Sequence, residues 1–199
     1  MAPSLHLGIL EADPVDPDLA AVHGNYPAMF RSLLETAVAD LATETAGSRP
    51  RESVDTHRGG PRDTPRSRSP QGPDGAGTPS LVTTCWPVWR GVLPPGIDAC
   101  DGWLVTGSRN SVNDDEPWIR RLEAFVRALH AARRPLLGVC FGHQLVARAL
   151  GGSVERARVG WGVGTHRYEV CARASWMERP RETLALRAGE HDQVARLPE

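Results

Sequence analysis

Pro135-Leu136-Leu137-Gly138-Val139-Cys140-Phe141-Gly142-His143-Gln144 is the stretch on which the reading of this chain turns. Pro135 to Cys140 is a short apolar run suited to a buried strand. A helical pattern follows from about Gly142 to Leu150, and Gly151-Gly152 stops it. Cys140 therefore falls where a strand turns into a helix. Gly-x-Cys-x-Gly at such a junction reads as the cysteine form of a nucleophile elbow, a sharp turn that exposes the reactive atom above the sheet. Glycines are expected at 138 and 142 because side chains there would collide with neighbouring strand and helix. The helix N-terminus aims its N–H groups and dipole at the sulfur, which favours thiolate. The Phe141 amide then becomes one oxyanion donor. Taken alone, the pentapeptide also suits a buried strand-end cysteine packing as a small hydrophobe.

Working outward, Leu5 to Leu10 reads as a first buried strand, followed by the Pro/Asp-rich loop Asp13-Pro14-Val15-Asp16-Pro17. Met29, Phe30, Leu33, Leu34, Ala37, Val38 and Leu41 recur at helical spacing. Leu81 to Trp89 reads as a strand that Pro87 marks as an edge or an end. Trp103 to Thr106 is a buried strand closed by Gly107. A helix starts at Pro117, with Ile119, Leu122, Phe125, Val126 and Leu129 on one face. From Val154 onward the chain looks strand-rich. This order predicts an α/β fold, a mostly parallel sheet with helices on both faces. Ligands in such sheets bind at the carboxyl ends of the strands, which points to Gly107 and Cys140. A second oxyanion donor is expected from Thr106-Gly107-Ser108, at Gly107 or Ser108.

The chain has 199 residues, 23 basic and 24 acidic, for a formal charge of −1. That balance argues against nucleic acid as a partner. All the basic residues are Arg, which excludes a Schiff-base or P-loop lysine. No apolar run approaches the roughly 20 residues of a membrane span, and no leader is visible, so a soluble cytoplasmic protein is expected. Cys85, Cys100, Cys140 and Cys171 are too scattered for a zinc pair and too few for a disulfide scaffold. No metal site is expected. Residues 46–80 contain 6 Pro, 6 Gly, 5 Ser and 6 Arg, with Val54 the only branched apolar side chain. Such a stretch is predicted to be a disordered insertion within a single domain spanning 1–199. Glu11, Asp13, Asp16 and Asp18 read as a solvated loop. Trp103, Trp118 and Trp161 read as core or pocket wall, and Gly160, Gly162 and Gly164 as a close approach to the pocket or a bulge.

Gly138-Val139-Cys140-Phe141-Gly142-His143-Gln144 resembles the nucleophile motif of the class I glutamine amidotransferases. Asp101 to Ser108 is similar to the family's oxyanion strand, and Ser111-Val112, Pro117-Trp118-Ile119, Gly151-Gly152 and Gly160-Trp161-Gly162 also look familial. The likeness is greatest to the stand-alone branch, which includes γ-glutamyl peptidases, and extends to the glutaminase domain of GMP synthase. It implies a flavodoxin-like fold and hydrolysis of a γ-glutamyl amide, from glutamine or a γ-glutamyl peptide, through a Cys140 thioester. No metal or organic cofactor is implied; a synthetase or acceptor subunit is an optional partner. Carried over, Cys140 is the nucleophile, Gly107 (or Ser108) and Phe141 form the oxyanion hole, and Gln144 helps hold the substrate. The counterpart of His143 is not the catalytic histidine.

The resemblance breaks at the base. The family supplies His-x-Glu late in the domain, and none of the seven histidines here stands in that motif. His191-Asp192-Gln193-Val194 resembles an earlier His-x-Asp-x-Val segment. Two expectations stay open. In one, His191 substitutes as base, oriented by Asp192 or Glu190. In the other, the C-terminal part of the domain is missing, and the chain is a catalytically incomplete or non-enzymatic homologue that keeps the glutamyl pocket. The second expectation also predicts an uncovered sheet edge and marginal stability.

Overall fold

The computed structural model describes residues 4–47, 80–172, 174, 177 and 182–198. Of the expected disordered segment, 46–80, only Ala46, Gly47 and Ser80 are among them, so that expectation lies outside the described residues.

The first apolar run forms β1 (Ser4–Glu11), which pairs in parallel with β2 (Ser80–Pro87) on one side and β3 (Gly102–Val105) on the other. β3 pairs in parallel with β4 (Leu136–Gly138), giving the order β2-β1-β3-β4. This is the flavodoxin-like arrangement, with a crevice at the carboxyl ends of β1 and β3, where successive connections leave the sheet in opposite directions. Pro87, which has no N–H for a ladder, ends an edge strand as its chemistry requires.

Two layers of helix cover the sheet. Alternation sends Leu10, Trp103 and Val105 to one face, where they join the apolar stripes of α3 (Pro117–Ala131) and α4 (Phe141–Ala149). Ile119, Leu122, Val126 and Leu129 are fully buried there, each stabilising the fold by about 1.5–3 kcal/mol. Trp103 anchors this layer, meeting Phe125 edge-on at 5.1 Å and Trp86 at 5.5 Å, and its ring fills the space a side chain at Gly8 would need. An ion pair 3.0 Å long, Arg148 Nε to Glu123 Oε1, joins α4 to α3.

The opposite face is covered by α2 (Tyr26–Gly47), which lies against β2 and β1, where Arg31 donates to Thr83 Oγ1 at 2.8 Å. Its stripe is wider than the strip of sheet it meets. Met29, Phe30, Leu34 and Val38 are half-buried, while Leu33, on the flank of the stripe, stays 63% exposed. Beyond the reach of α2, Leu137 on edge strand β4 is also largely exposed.

Part of the Pro/Asp-rich loop turns out to be helical. α1 (Pro17–His23) starts with Pro17 and with the Asp16 carboxylate accepting from Asp18 N–H at 3.0 Å. After α4, Gly151 takes φ +100°, and Gly152 lies so close to the carbonyls of Ala147 and Arg196 that no side chain fits. The chain then forms β5 (Ser153–Arg156), β6 (Gly162–Glu169), β7 (Thr183–Glu190) and β8 (Asp192–Arg196). β5 pairs antiparallel with β8, and β6 with β7 as a separate two-stranded ribbon. Gly160 (φ +82°), in the turn before β6, and Gly164 (φ +122°), within β6, have open space around them and use glycine's backbone freedom rather than a close approach.

Candidate active site

The elbow is built by steric exclusion. Cys140 adopts φ 49°, ψ −112°, a left-handed conformation that costs a non-glycine residue about 1–3 kcal/mol. It is held from both sides. A side chain at Gly138 would come within 2.5 Å of the Gly142 backbone, and one at Gly142 would run into the Val105 carbonyl. Val139 N–H bonds to that same Val105 carbonyl at 3.0 Å. Phe141 then buries its ring against Trp118, centroids 5.6 Å apart, and Gln144 N–H bonds Cys140 O at 3.1 Å. As the first residue of α4, Phe141 has no intrahelical acceptor for its N–H. The turn leaves Cys140 exposed above the carboxyl ends of β3 and β4.

Next to it lies the loop after β3. Gly107 packs so that a side chain there would touch Cys140 Cβ at 3.7 Å and Tyr26 Oη at 3.9 Å. Thr106 ties the loop to β1: its Oγ1 accepts from Ala12 N–H at 2.9 Å, and its N–H bonds Leu10 O at 3.2 Å. Asp13, expected to be solvated, is buried. Its carboxylate accepts from Arg109 N–H and Nε, both at 2.8 Å, and from Nη2 at 3.0 Å. The two strand-end loops flanking the crevice are thereby clipped together.

The far wall comes from β7 and β8. Glu190, His191 and Asp192 share a cleft of about 270 Å³ with Cys140, Gln144, Ser108 and Arg109. His191 stacks on Trp161, ring centroids 5.1 Å apart and 10° from parallel. Asp192 is buried; its carboxylate accepts from Ser111 Oγ, and its carbonyl accepts from Gln144 Nε2 at 3.0 Å. Asp192 thus pins β8 to α4 and to the β3–α3 loop. Asn113 adds a bond from Nδ2 to Val154 O at 3.0 Å.

Electrostatics differ from the sequence expectation for the sulfur. Partial burial of the sulfur, then the negative Glu190 carboxylate and a hydrogen bond with it, push the Cys140 thiol above its ordinary range. The Tyr26 phenol is also raised, by burial first and then by Asp13 and Cys140, with Arg109 opposing. Cys85, away from the cleft, is pushed up to about 11, chiefly by burial. Among the described residues no group of three or more His, Cys, Asp or Glu side chains could hold a metal ion.

The structure brings Cys140, Phe141, Ser108, Gln144 and His191 to one cleft, with Gly107 directly behind Cys140. His143 is exposed on α4 and is not among the lining residues. Trp103 and Trp118 are core, and Trp161 is pocket wall. Sequence reasoning missed Tyr26 beside Gly107 and the buried Asp13 clip, and it saw Glu190 only as an orienter of His191. No local signal marks these residues, because each reaches the site through a contact distant in sequence.

Residues 95–190 match the family model described as glutamine amidotransferase class-I. The chain is similar to γ-glutamyl peptidase 4 of Arabidopsis thaliana, 41% identical over 64 residues, which cover 32% of this chain and 26% of that protein. It is 32% identical over 108 residues to γ-glutamyl peptidase 5 of the same plant, covering 52% of this chain and 43% of that one. Among solved structures, a glutamine amido transferase from Methylobacillus flagellatus superposes with a TM-score of 0.50 at 29% identity, covering 60% of this chain and 47% of the other. The chain spans less than half the length of each of these relatives. With a parallel β2-β1-β3-β4 sheet and a strained cysteine between β4 and α4, the segment 95–190, just under half of the chain, is similar to the class-I glutamine amidotransferase family.

Proposed function

We propose that the cleft hydrolyses a γ-glutamyl amide, either glutamine or a γ-glutamyl peptide, through a Cys140 thioester. The observation that carries this reading is the strained backbone of Cys140, held by the Gly138–Gly142–Val105 contacts at the mouth of a polar cleft. Strain retained at one exposed cysteine is the mark of an atom held in place to react. In acylation the Cys140 sulfur attacks the amide carbon, and the carbonyl pair moves onto oxygen. The Phe141 N–H and that of Gly107 or Ser108 stabilise this oxyanion. The pair then returns, the C–N bond breaks, and the amine leaves with the proton taken from sulfur. Water next attacks the thioester, releasing glutamate and restoring the thiol. Gln144 holds the inner end of the cleft, and His191 is the base that carries the proton. A separate synthetase or acceptor subunit would consume the ammonia; a peptidase needs none. Four free cysteines support a reducing, cytoplasmic setting.

A second reading has its own support. Glu190 and burial hold the Cys140 thiol protonated, and His191 is stacked on Trp161. On that reading the chain keeps the glutamyl pocket without turnover. Glutamate release from glutamine and from a γ-glutamyl dipeptide, compared between the chain and Cys140→Ala, decides between them. Release that vanishes in the variant establishes the hydrolase. Absence of release, with Cys140 still labelled by a glutamine-like chloroketone, establishes the idle pocket.

A further inference from the structure

We propose that Tyr26 is a catalytic residue of this site, its hydroxyl donating to the oxyanion that forms when Cys140 is acylated. The inference rests on the thioester chemistry proposed above. It begins with how the chain delivers Tyr26. Gly24, at φ +79°, ends α1, and Asn25 then caps α2, its Oδ1 accepting from Ala28 N–H and its carbonyl from Met29 N–H, both at 3.0 Å. Pro27 is buried and the Tyr26 ring lies 6.4 Å from Phe30, so the ring is fixed at the start of α2. That helix end sits over the carboxyl ends of β1 and β3.

The hydroxyl and the nucleophile flank one residue. The position that a Gly107 side chain would occupy is 3.7 Å from Cys140 Cβ and 3.9 Å from Tyr26 Oη. Gly107 is also a proposed oxyanion donor, so the phenol oxygen and the Cys140 side chain approach the same face of one donor residue, with Tyr26 just behind the residues that line the cleft. The group has the right chemistry for a donor. Burial, Asp13 and Cys140 all raise its pKa, so the phenol keeps its proton across the neutral range and remains a donor. No proton leaves Tyr26 in the step: the O–H bond persists, and the hydrogen bond to the oxyanion strengthens as the carbonyl pair reaches oxygen. A fixed donor of this kind contributes about 10²-fold or more to the rate.

The test measures acylation of Cys140 separately from its reactivity as a thiol. Tyr26→Phe keeps the ring and its packing. The chain and the variant are each treated with a γ-glutamyl p-nitroanilide, and p-nitroaniline release and the Cys140 acyl adduct are followed by absorbance and intact mass. Both are also alkylated with iodoacetamide, a reaction that forms no oxyanion. The expected result is an acylation about 100-fold slower in Tyr26→Phe, expressed in kcat with KM nearly unchanged, and equal alkylation rates. Equal acylation overturns the role of Tyr26 and leaves the hydrolase reading intact. A loss that appears equally in alkylation or in the melting temperature shows a structural role and also overturns the proposal. If neither protein is acylated while both are alkylated, the hydrolase reading fails, and the proposal fails with it.

Discussion

Cys140 stands between opposing influences, and the balance is set by one neighbour. The amide dipoles of α4 favour a thiolate, yet burial and the Glu190 carboxylate hold the proton on sulfur. Glu190→Gln removes a negative charge that disfavours the anion while leaving burial in place. The thiol pKa should therefore fall part of the way back, and iodoacetamide should alkylate Cys140 faster at pH 7.5 than in the unaltered chain. A rate profile against pH that rises at the same midpoint in both proteins would remove Glu190 from the account. At this scale the elbow was legible, because a turn between strand and helix demands glycine at both flanks, Gly138 against the Gly142 backbone and Gly142 against the neighbouring strand β3. Their collisions with the Gly142 and Val105 backbones are those that the strand–turn–helix reading requires. Glu190 and Tyr26 owe their places to tertiary approach, and neither carries a local pattern that announces it.

Elements were legible where an apolar period marks them and illegible where it does not. α3 follows its stripe closely, while α1 buries no side chain and so has no period to detect. Its start at Asp16-Pro17 and stop at Gly24 are the cues that remain in the sequence. The stripe of α2 was read correctly as helical but too wide, since Leu33 has no sheet beneath it. β8, which pairs antiparallel with β5, is also tied to α4 by a buried link that periodicity does not show: Gln144 donates from Nε2 to the Asp192 carbonyl. Gln144→Ala leaves that carbonyl without its donor and should cost about 1–3 kcal/mol. Urea unfolding checks the magnitude, and hydrogen exchange checks the place. Faster exchange is expected at β5 and β8, with β1 and β3 unchanged.

In the whole molecule, the cleft joins two bodies of unequal support. One wall rests on the parallel sheet and the packed layer of α3 and α4. The other is carried by β7 and the start of β8, and among the described residues β7 pairs only with β6, in a ribbon where Val163, Tyr168 and Leu186 remain exposed. A two-stranded ribbon packed mainly on itself is marginal on its own. Amide exchange should therefore be fastest in β6 and β7 and slowest in β1 and β3, the two reporting separate opening events. Equal protection across ribbon and sheet would contradict this.

The ribbon's geometry also limits how far its own motion would carry to Cys140. β7 has eight residues, about 27 Å of strand, and its last residue, Glu190, adjoins His191, the link to β8. If the ribbon swings by about 10° around that link, its far end sweeps through about 5 Å, while Glu190 moves well under about 1 Å. The carboxylate opposite Cys140 sits at the fulcrum of a long lever, where a wide arc at the tip becomes almost no displacement at the sulfur.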